Sequence, residues 1–295
     1  MEGRAVTLAS GIVVPKAASS TINPVWQQVS NLVDGVDTMT LSGGESFRQP
    51  YEKLTPDGNY AEEKAAPSDT DVAFDYADIT KSKVTAYSEI TNEIKKLPAA
   101  DYEGVVTQGI SRSVRKKLAK EILVGDGATG HLTGIFSSNA KAIDPATDLS
   151  IASITNTTLN EIIFSYGGDE AVDDQAVLIL NKIDLKAFSQ LRTNDGKPFH
   201  TIVTKGNFGT IDGIPYIINS IASPLSSSKT TSGSYCMAYG ALSNYKMVIF
   251  SDLDVQRSTE YKFKEGMIAH RGEVYAGGNV VAYNGFVRIK KASAV

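Results

Sequence analysis

A chain of 295 residues, 42% hydrophobic and 21% charged, is long enough to bury a sizeable core, as one large domain or two smaller ones. It has no apolar run near the ~20 residues that span a bilayer, and its opening stretch, MEGRAVTLASGIVVP, is too broken for a secretion signal. Cys236 is the single cysteine, so no intrachain disulfide can form, and a net charge of −4 argues against a bulk nucleic-acid-binding surface.

That charge is unevenly placed. Asp57, Glu62, Glu63, Asp69, Asp71, Asp75 and Asp78 crowd a stretch whose one intervening base is Lys64. Arg112, Arg115, Lys116, Lys117 and Lys120 then follow with no acid among them. Two solvated faces would explain this pattern; so would patches that meet, within one molecule or between copies.

Residues 1–20 lack periodicity and read as an extended arm. NPVWQQVSNLV then predicts a short helix, with Asn23 as N-cap, Pro24 at the first helical position, and Val25, Trp26, Val29 and Val33 on one face. From Val36 to Ile79 the pattern is extended: DTMTLSGGESFRQPYEKL and DVAFDYADI flank a charged, turn-rich segment. We expect a long two-stranded excursion with little core of its own, mobile unless it lies on something else. From Thr80 to Gly125 the sequence reads as helical. Ser88, Thr91 and Glu93 suggest a first short helix ending before Pro98. A second helix of roughly 25 residues, about 38 Å long, follows. In it Asp101 and Glu103 suit the early turns, and Val106, Ile110, Val114, Leu118 and Ile122 form one apolar ridge. Gly125 is expected at the residue just past the helix end.

GDGATGHLTGIF, residues 125–136, has the glycine density of a phosphate-cradling loop. Such loops open a helix and aim its positive end at the anion. This one leaves a helix C-terminus and lacks the Gly-Lys-Ser/Thr ending, so it reads as a turn. Farther on, Thr155 or Asn156 suits the cap of a helix in TTLNEIIFSYG. AVLILN is a buried strand, KIDLKAFSQLR a helix with Ile183, Leu185 and Phe188 apolar, and TNDGKPF a turn. GTIDGIPYIINS, GSYCMAYGAL and most of the chain after Tyr245 read as strands, best alternating at Val280, Ala282, Phe286, Val287 and Ile289.

No catalytic constellation emerges. His131, His200 and His270 are far apart in sequence and have no His or Cys at metal-ligand spacing. Cys236 reads as a small core hydrophobe. His270, Arg271 and Glu273 suggest a structural ion network. Asp173–Asp174 and Glu62–Glu63 are sequence neighbours, which usually means exposed carboxylates. We assign no catalytic, cofactor-binding or metal-ligating residue and expect no cofactor and no enzyme activity.

The order of elements resembles the major capsid protein of tailed bacteriophages with the Hong Kong 97-type fold. The resemblance is carried by the charged loop AEEKAAPSDTDVAF, the long helix with its exit EILVGDGATGHLTGIF, VLILNKIDLKAFSQLRTNDGKPF, GTIDGIPYIINS, and the terminal strands YGALSNYKMVIFSDLDVQRS and EGMIAHRGEVYAGGNVVAYNGFVRI. It implies an α+β fold. Its parts would be an N-terminal arm (1–33), an extended β-ribbon loop (34–80), a peripheral domain with the spine helix (81–150), an axial domain (151–244), and peripheral strands with the C-terminus (245–295). The implied function is structural: self-assembly as pentamers and hexamers into an icosahedral head enclosing double-stranded DNA.

The implied partners are further copies of the chain, packaged DNA on the inner face without sequence specificity, portal, scaffold and decoration proteins, and no membrane. The implied location is the virion, after assembly in the host bacterial cytoplasm. TNDGKPF would sit near a five- or six-fold axis. The ribbon's acids would meet bases such as Arg112 or Lys116 of a neighbour. An encapsulin-type nanocompartment shares the fold and is the alternative, expected to carry a cargo-binding N-terminal helix and a shorter ribbon. A soluble enzyme has no residue group to support it.

Two departures from the family pattern stand out. In the type member a lysine just before the ribbon's proline bonds covalently to a neighbour's asparagine, promoted by a buried glutamate. Here Ala66 precedes Pro67, Lys64 is out of register, Gly266 takes the acceptor position and Glu273 matches the glutamate, so no autocatalytic crosslink is expected. The family's N-terminal scaffolding segment is also missing, which implies either proteolytic removal or a separate scaffold; Met1 favours the latter.

Overall fold

The computed structural model describes residues 32–54, 56–60, 64, 69, 71–95, 101–167 and 175–292. The expected arm, nearly all of the NPVWQQVSNLV helix, Ala66, Pro67, Pro98 and Asp173–Asp174 lie outside them. The described chain opens with a helical turn, α1 (Leu32–Gly35), and a short strand, β1 (Asp37–Thr40). The ribbon follows as β2 (Ser46–Leu54) and β3 (Ala73–Thr80), paired antiparallel from Ser46↔Thr80 to Leu54↔Ala73.

Next come strand β4 (Ser82–Thr91), the short α2 (Asn92–Lys95) and the long helix α3 (Tyr102–Val124). The helical reading of residues 82–91 is therefore corrected. Ser82, Val84 and Ile90 are buried on alternate positions, a period of two that intervening Thr, Tyr and Ser residues obscure. This strand forms an unbroken antiparallel ladder with β12 (Met267–Val280), and β12 in turn pairs with β11 (Tyr245–Ser258). β1 runs parallel to β11, so Asp37–Thr40 belongs to this sheet rather than to the ribbon. The first sheet thus has the order β1-β11-β12-β4.

The second sheet is built from β5 (Leu149–Ile151), β6 (Ala176–Leu180), β7 (Ile202–Lys205), β8 (Phe208–Ile211), β9 (Ile214–Ile218), β10 (Tyr235–Ala241) and β13 (Val287–Lys291), in the order β5-β13-β10-β6-β9-β8-β7. Helices α4 (Thr158–Phe164) and α5 (Lys182–Gln190) cover one face of it through Leu159, Ile162, Leu185 and Phe188. GTIDGIPYIINS is a hairpin rather than one strand: Asp212 and Gly213 both take positive φ (50° and 89°) and turn β8 into β9. The cap of α4 also falls later than expected, with Thr157 flanking the helix and Thr158 Oγ1 accepting from Thr155 N–H at 2.9 Å. The final strand, β13, crosses from the 245–295 segment into the second sheet, between β5 and β10.

Each side of the first sheet is covered differently. Alternate β12 residues Val274 and Ala276 meet Val114 and Leu118 of α3. On the opposite face Ile79, at the root of the ribbon, packs with Val248 and Phe250, and a β-carbon at Gly277 would meet Ile79. The layers are therefore helix, sheet, ribbon root. A third cluster joins the parts, bringing Ile122 and Leu123 of α3, Tyr51 and Ala77 of the ribbon, and Ile179, Ile217 and Ala238 of the second sheet into one core.

Candidate functional site

The ribbon is two-faced. Inward, Tyr51, Ala77 and Ile79 are buried, and the Tyr51 ring stacks on Tyr283 with centroids 6.5 Å apart. Outward, Leu54, Phe74 and Tyr76 are 57%, 73% and 43% exposed. The strand period of two places Phe74 and Tyr76 on one side; Leu54, past the irregularity between Glu52 and Leu54, pairs instead with Ala73. Arg48 lies 3.8 Å above the Tyr76 ring and bonds Asp78 at 2.7 Å, holding the outer face in shape. An exposed apolar strip on a thin ribbon is a contact surface rather than a core.

Helix α3 lies on the other side of the first sheet. Asp101 caps it by accepting from Gly104 N–H at 2.9 Å, and Ile110, Val114, Leu118 and Ile122 are buried as the ridge required. With 23 residues it is about 34 Å long at 1.5 Å per residue. Two of its basic residues find acids outside the paired ribbon strands: Arg115 bonds Asp34, and Lys117 bonds Glu121 at 2.6 Å. Of the described acids of the ribbon, Asp78 pairs with Arg48 and Asp75 accepts from the Tyr76 N–H. Among the described residues the two patches form no ion pair with each other, and α3 and the ribbon root lie on opposite sides of the first sheet.

The glycine loop after α3 is fully engaged in holding the chain. Ile135 and Phe136 N–H donate to the helix carbonyls of Ile122 and Leu123, both at 2.9 Å. Asp126 accepts from Ala128 N–H and from the His131 ring, which together hold its carboxyl below the usual carboxylate range. Gly125 has φ −57°, not the left-handed conformation expected past a helix end. It is glycine for a different reason: a β-carbon there would collide with the carbonyls of Leu132 and Glu121.

Among the residues singled out from the sequence, Gly266 is in the left-handed region (φ 62°) and has no side chain to offer. Glu273 lies 2.8 Å from Lys83 of the same chain, and this bond holds its carboxyl below the usual range. His270 is buried and points at Glu103, 3.4 Å away, which also holds Arg257 at 2.7 Å; Arg271 points to the other side of the strand. Cys236 is sealed in β10, where burial pushes its thiol up to about 11. His200, between Phe188 and Phe199, bonds Asp212 at 2.5 Å. Among the described residues no three His, Cys, Asp or Glu converge as metal ligands, and no helix is long and apolar enough to cross a membrane.

Sequence reasoning missed two buried charged groups. Arg288 is clasped by Asp148, and Asp184 accepts from the N–H groups of Leu225 and Ser226, both at 2.8 Å, pinning a loop onto α5. Nothing local marks these residues; their partners lie 140 and about 40 positions away. A second exposed apolar group lies on and beside the edge hairpin of β7 and β8: Phe199 (40%), Val203 (53%) and Phe208 (45%). It adjoins the TNDGKPF turn, where Gly196 has φ 75° and Thr193 and Lys197 close the loop at 2.9 Å.

The model of the family described as "Phage capsid family" matches residues 10–291. Among solved structures, the capsid of a native GTA particle, computed with C5 symmetry, superposes with a TM-score of 0.77 at 19% identity over 97% of each chain. A chain from Gordonia phage Cozz gives 0.68 at 14% identity, covering 96% of this chain and 92% of that one. One from Mycobacterium phage Bobi gives 0.66 at 12%, covering 95% and 96%. At such identities the likeness is one of fold. No curated protein matches the chain.

Proposed function

This chain belongs to the phage capsid family, and we propose that it is the repeated structural subunit of an icosahedral head, assembling as pentamers and hexamers around double-stranded DNA. The observation that carries this reading is the two-faced ribbon. Its inner face is anchored by Tyr51, Ala77 and Ile79, while Phe74 on its outer face and Leu54 at its far end are left 73% and 57% exposed by their own chain. A second copy supplies that cover. The ribbon of the extended loop (34–80) reaches over the neighbour; the peripheral domain (81–150 and 245–295) is built on α3, β4, β11 and β12; the axial domain (151–244) is built on β6 to β10, with β13 joining its sheet from the C-terminal segment. Phe199, Val203 and Phe208 then lie toward the ring axis, beside the TNDGKPF turn. Portal, scaffold and decoration proteins would join such a shell during assembly in the host bacterial cytoplasm.

The test is negative-stain electron microscopy of the purified protein with mass photometry alongside. Closed icosahedral particles, or free rings of five or six, support the reading. A compact monomer at every salt concentration overturns it.

A further inference from the structure

The outward face of α3 carries Arg112, Lys116 and Lys120 at intervals of four residues, all exposed. At 100° per residue this row lies opposite the buried ridge of Ile110, Val114, Leu118 and Ile122. Arg115 and Lys117 have carboxylate partners; these three have none among the described residues, and Arg112 reaches only the Gln108 amide oxygen at 3.4 Å. The row is therefore an uncompensated positive stripe, about 12 Å long at 1.5 Å per residue.

Two polyanions could face it: the acidic ribbon of a neighbouring copy, or nucleic acid. The layering of the fold decides between them. The ribbon roots on the face of the first sheet opposite α3. In a shell one subunit thick, a ribbon that lies over its neighbour stays on the side from which it emerges. It cannot reach the neighbour's α3 stripe, which faces the other side.

We infer that Arg112, Lys116 and Lys120 form a contact for the phosphates of double-stranded DNA on the inner face of the shell. This rests on the shell reading above. Duplex DNA presents one negative charge per ~1.7 Å of axis, so any orientation of the duplex offers phosphates to a stripe of this length. Flexible, positively charged side chains on a helix flank contact phosphate and leave the base edges unread, which makes the contact independent of sequence. The net charge of −4 describes the whole molecule; the stripe is a local exception to it. Three contacts per subunit are few, and strength comes from repetition over the inner surface.

The test uses the full chain and its triple variant Arg112→Gln/Lys116→Gln/Lys120→Gln. Binding of a fluorescein-labelled, random-sequence DNA duplex is followed by anisotropy across a salt series. Loss of three phosphate contacts lowers the slope of log affinity against log salt by about 2.7, at ~0.9 per contact. Exposed substitutions leave the fold intact, which circular dichroism checks, and Arg48→Gln, on the ribbon side, leaves the slope unchanged.

An unchanged slope in the triple variant overturns the inference. So does an equal loss in Arg48→Gln, and so does a triple variant that binds DNA normally but no longer forms particles, which would place the stripe between copies. Particles of the triple variant that form normally yet hold less nuclease-protected DNA support it. If the unmodified protein forms no particles, the shell reading fails, while the salt slope still decides what the stripe binds.

Discussion

Arg288 and Asp148 meet in a two-pronged ion pair, Nε to Oδ1 at 2.7 Å and Nη2 to Oδ2 at 3.2 Å, with side chains 1% and 0% exposed. Both groups have further partners. Tyr235 Oη donates to Asp148 Oδ2 at 2.7 Å, and Arg288 Nη1 donates to Ser137 O at 3.0 Å. Through Ser137 and Asp148 the pair thereby ties the segment between α3 and β5 to β13, next to the edge of the second sheet.

Removing one partner leaves a buried charge unpaired, at a cost of about 3–5 kcal/mol. We expect Arg288→Met or Asp148→Asn to lower the urea midpoint of unfolding sharply, and the double variant to lose less than the sum of the two. Additive losses in a double-mutant cycle would deny that the two act as a unit.

The glycines of the exit loop should separate by mechanism. At Gly130, with φ 82° and nothing within 4 Å of a β-carbon, alanine meets backbone strain alone, roughly 1 kcal/mol. At Gly125, where φ is ordinary, alanine collides with two carbonyls that close the helix end. Thermal unfolding should show Gly125→Ala as the more damaging of the two. The reverse order would contradict the close approach.

Phe74→Ser with Leu54→Ser should leave the stability of the isolated subunit within about 0.5 kcal/mol, because both side chains are exposed. Particle formation should fall steeply. Tyr51→Ala, on the covered face, should instead destabilise the subunit by about 3–5 kcal/mol. Particles forming normally from the double variant would show that the outer strip covers nothing.

The Lys83–Glu273 bond lowers the folded-state pKa of Glu273. Its contribution is therefore complete above the unfolded value of about 4.3 and fades as pH falls through the lower folded value. Glu273→Gln should be less stable than the unmodified chain at neutral pH, with the gap closing in acid. A gap that stays constant across the titration would refute the pairing.

Because Gly266 offers no amide and Glu273 is engaged by Lys83 within its own chain, a denaturing gel of assembled particles should run as a single monomer band. Ladders above it would overturn this expectation.

Much of the architecture was legible in local pattern. The four-residue ridge of α3 and the paired strands of the ribbon announced themselves, as did the helix KIDLKAFSQLR, which is α5. What escaped was set by distant partners. β4 looked helical because its alternation is completed by β12, nearly two hundred residues on. Asp37–Thr40 looked like ribbon because β11 was not yet in view. The contact surfaces were legible only as a charge imbalance; which side each patch faced depended on the layering of helix, sheet and ribbon root.

The position of β13 sets an order in time. Val287–Lys291 is wedged between β5 and β10, strands made long before it, and the first sheet likewise waits for β11 and β12 to join β1 and β4. A growing chain consequently holds neither sheet complete until almost all of it has been synthesised. Such non-local pairing slows folding, and here it also delays it. A half-made subunit has a ribbon but no finished body, and on the shell reading proposed above copies still being translated would be poor sites for premature association.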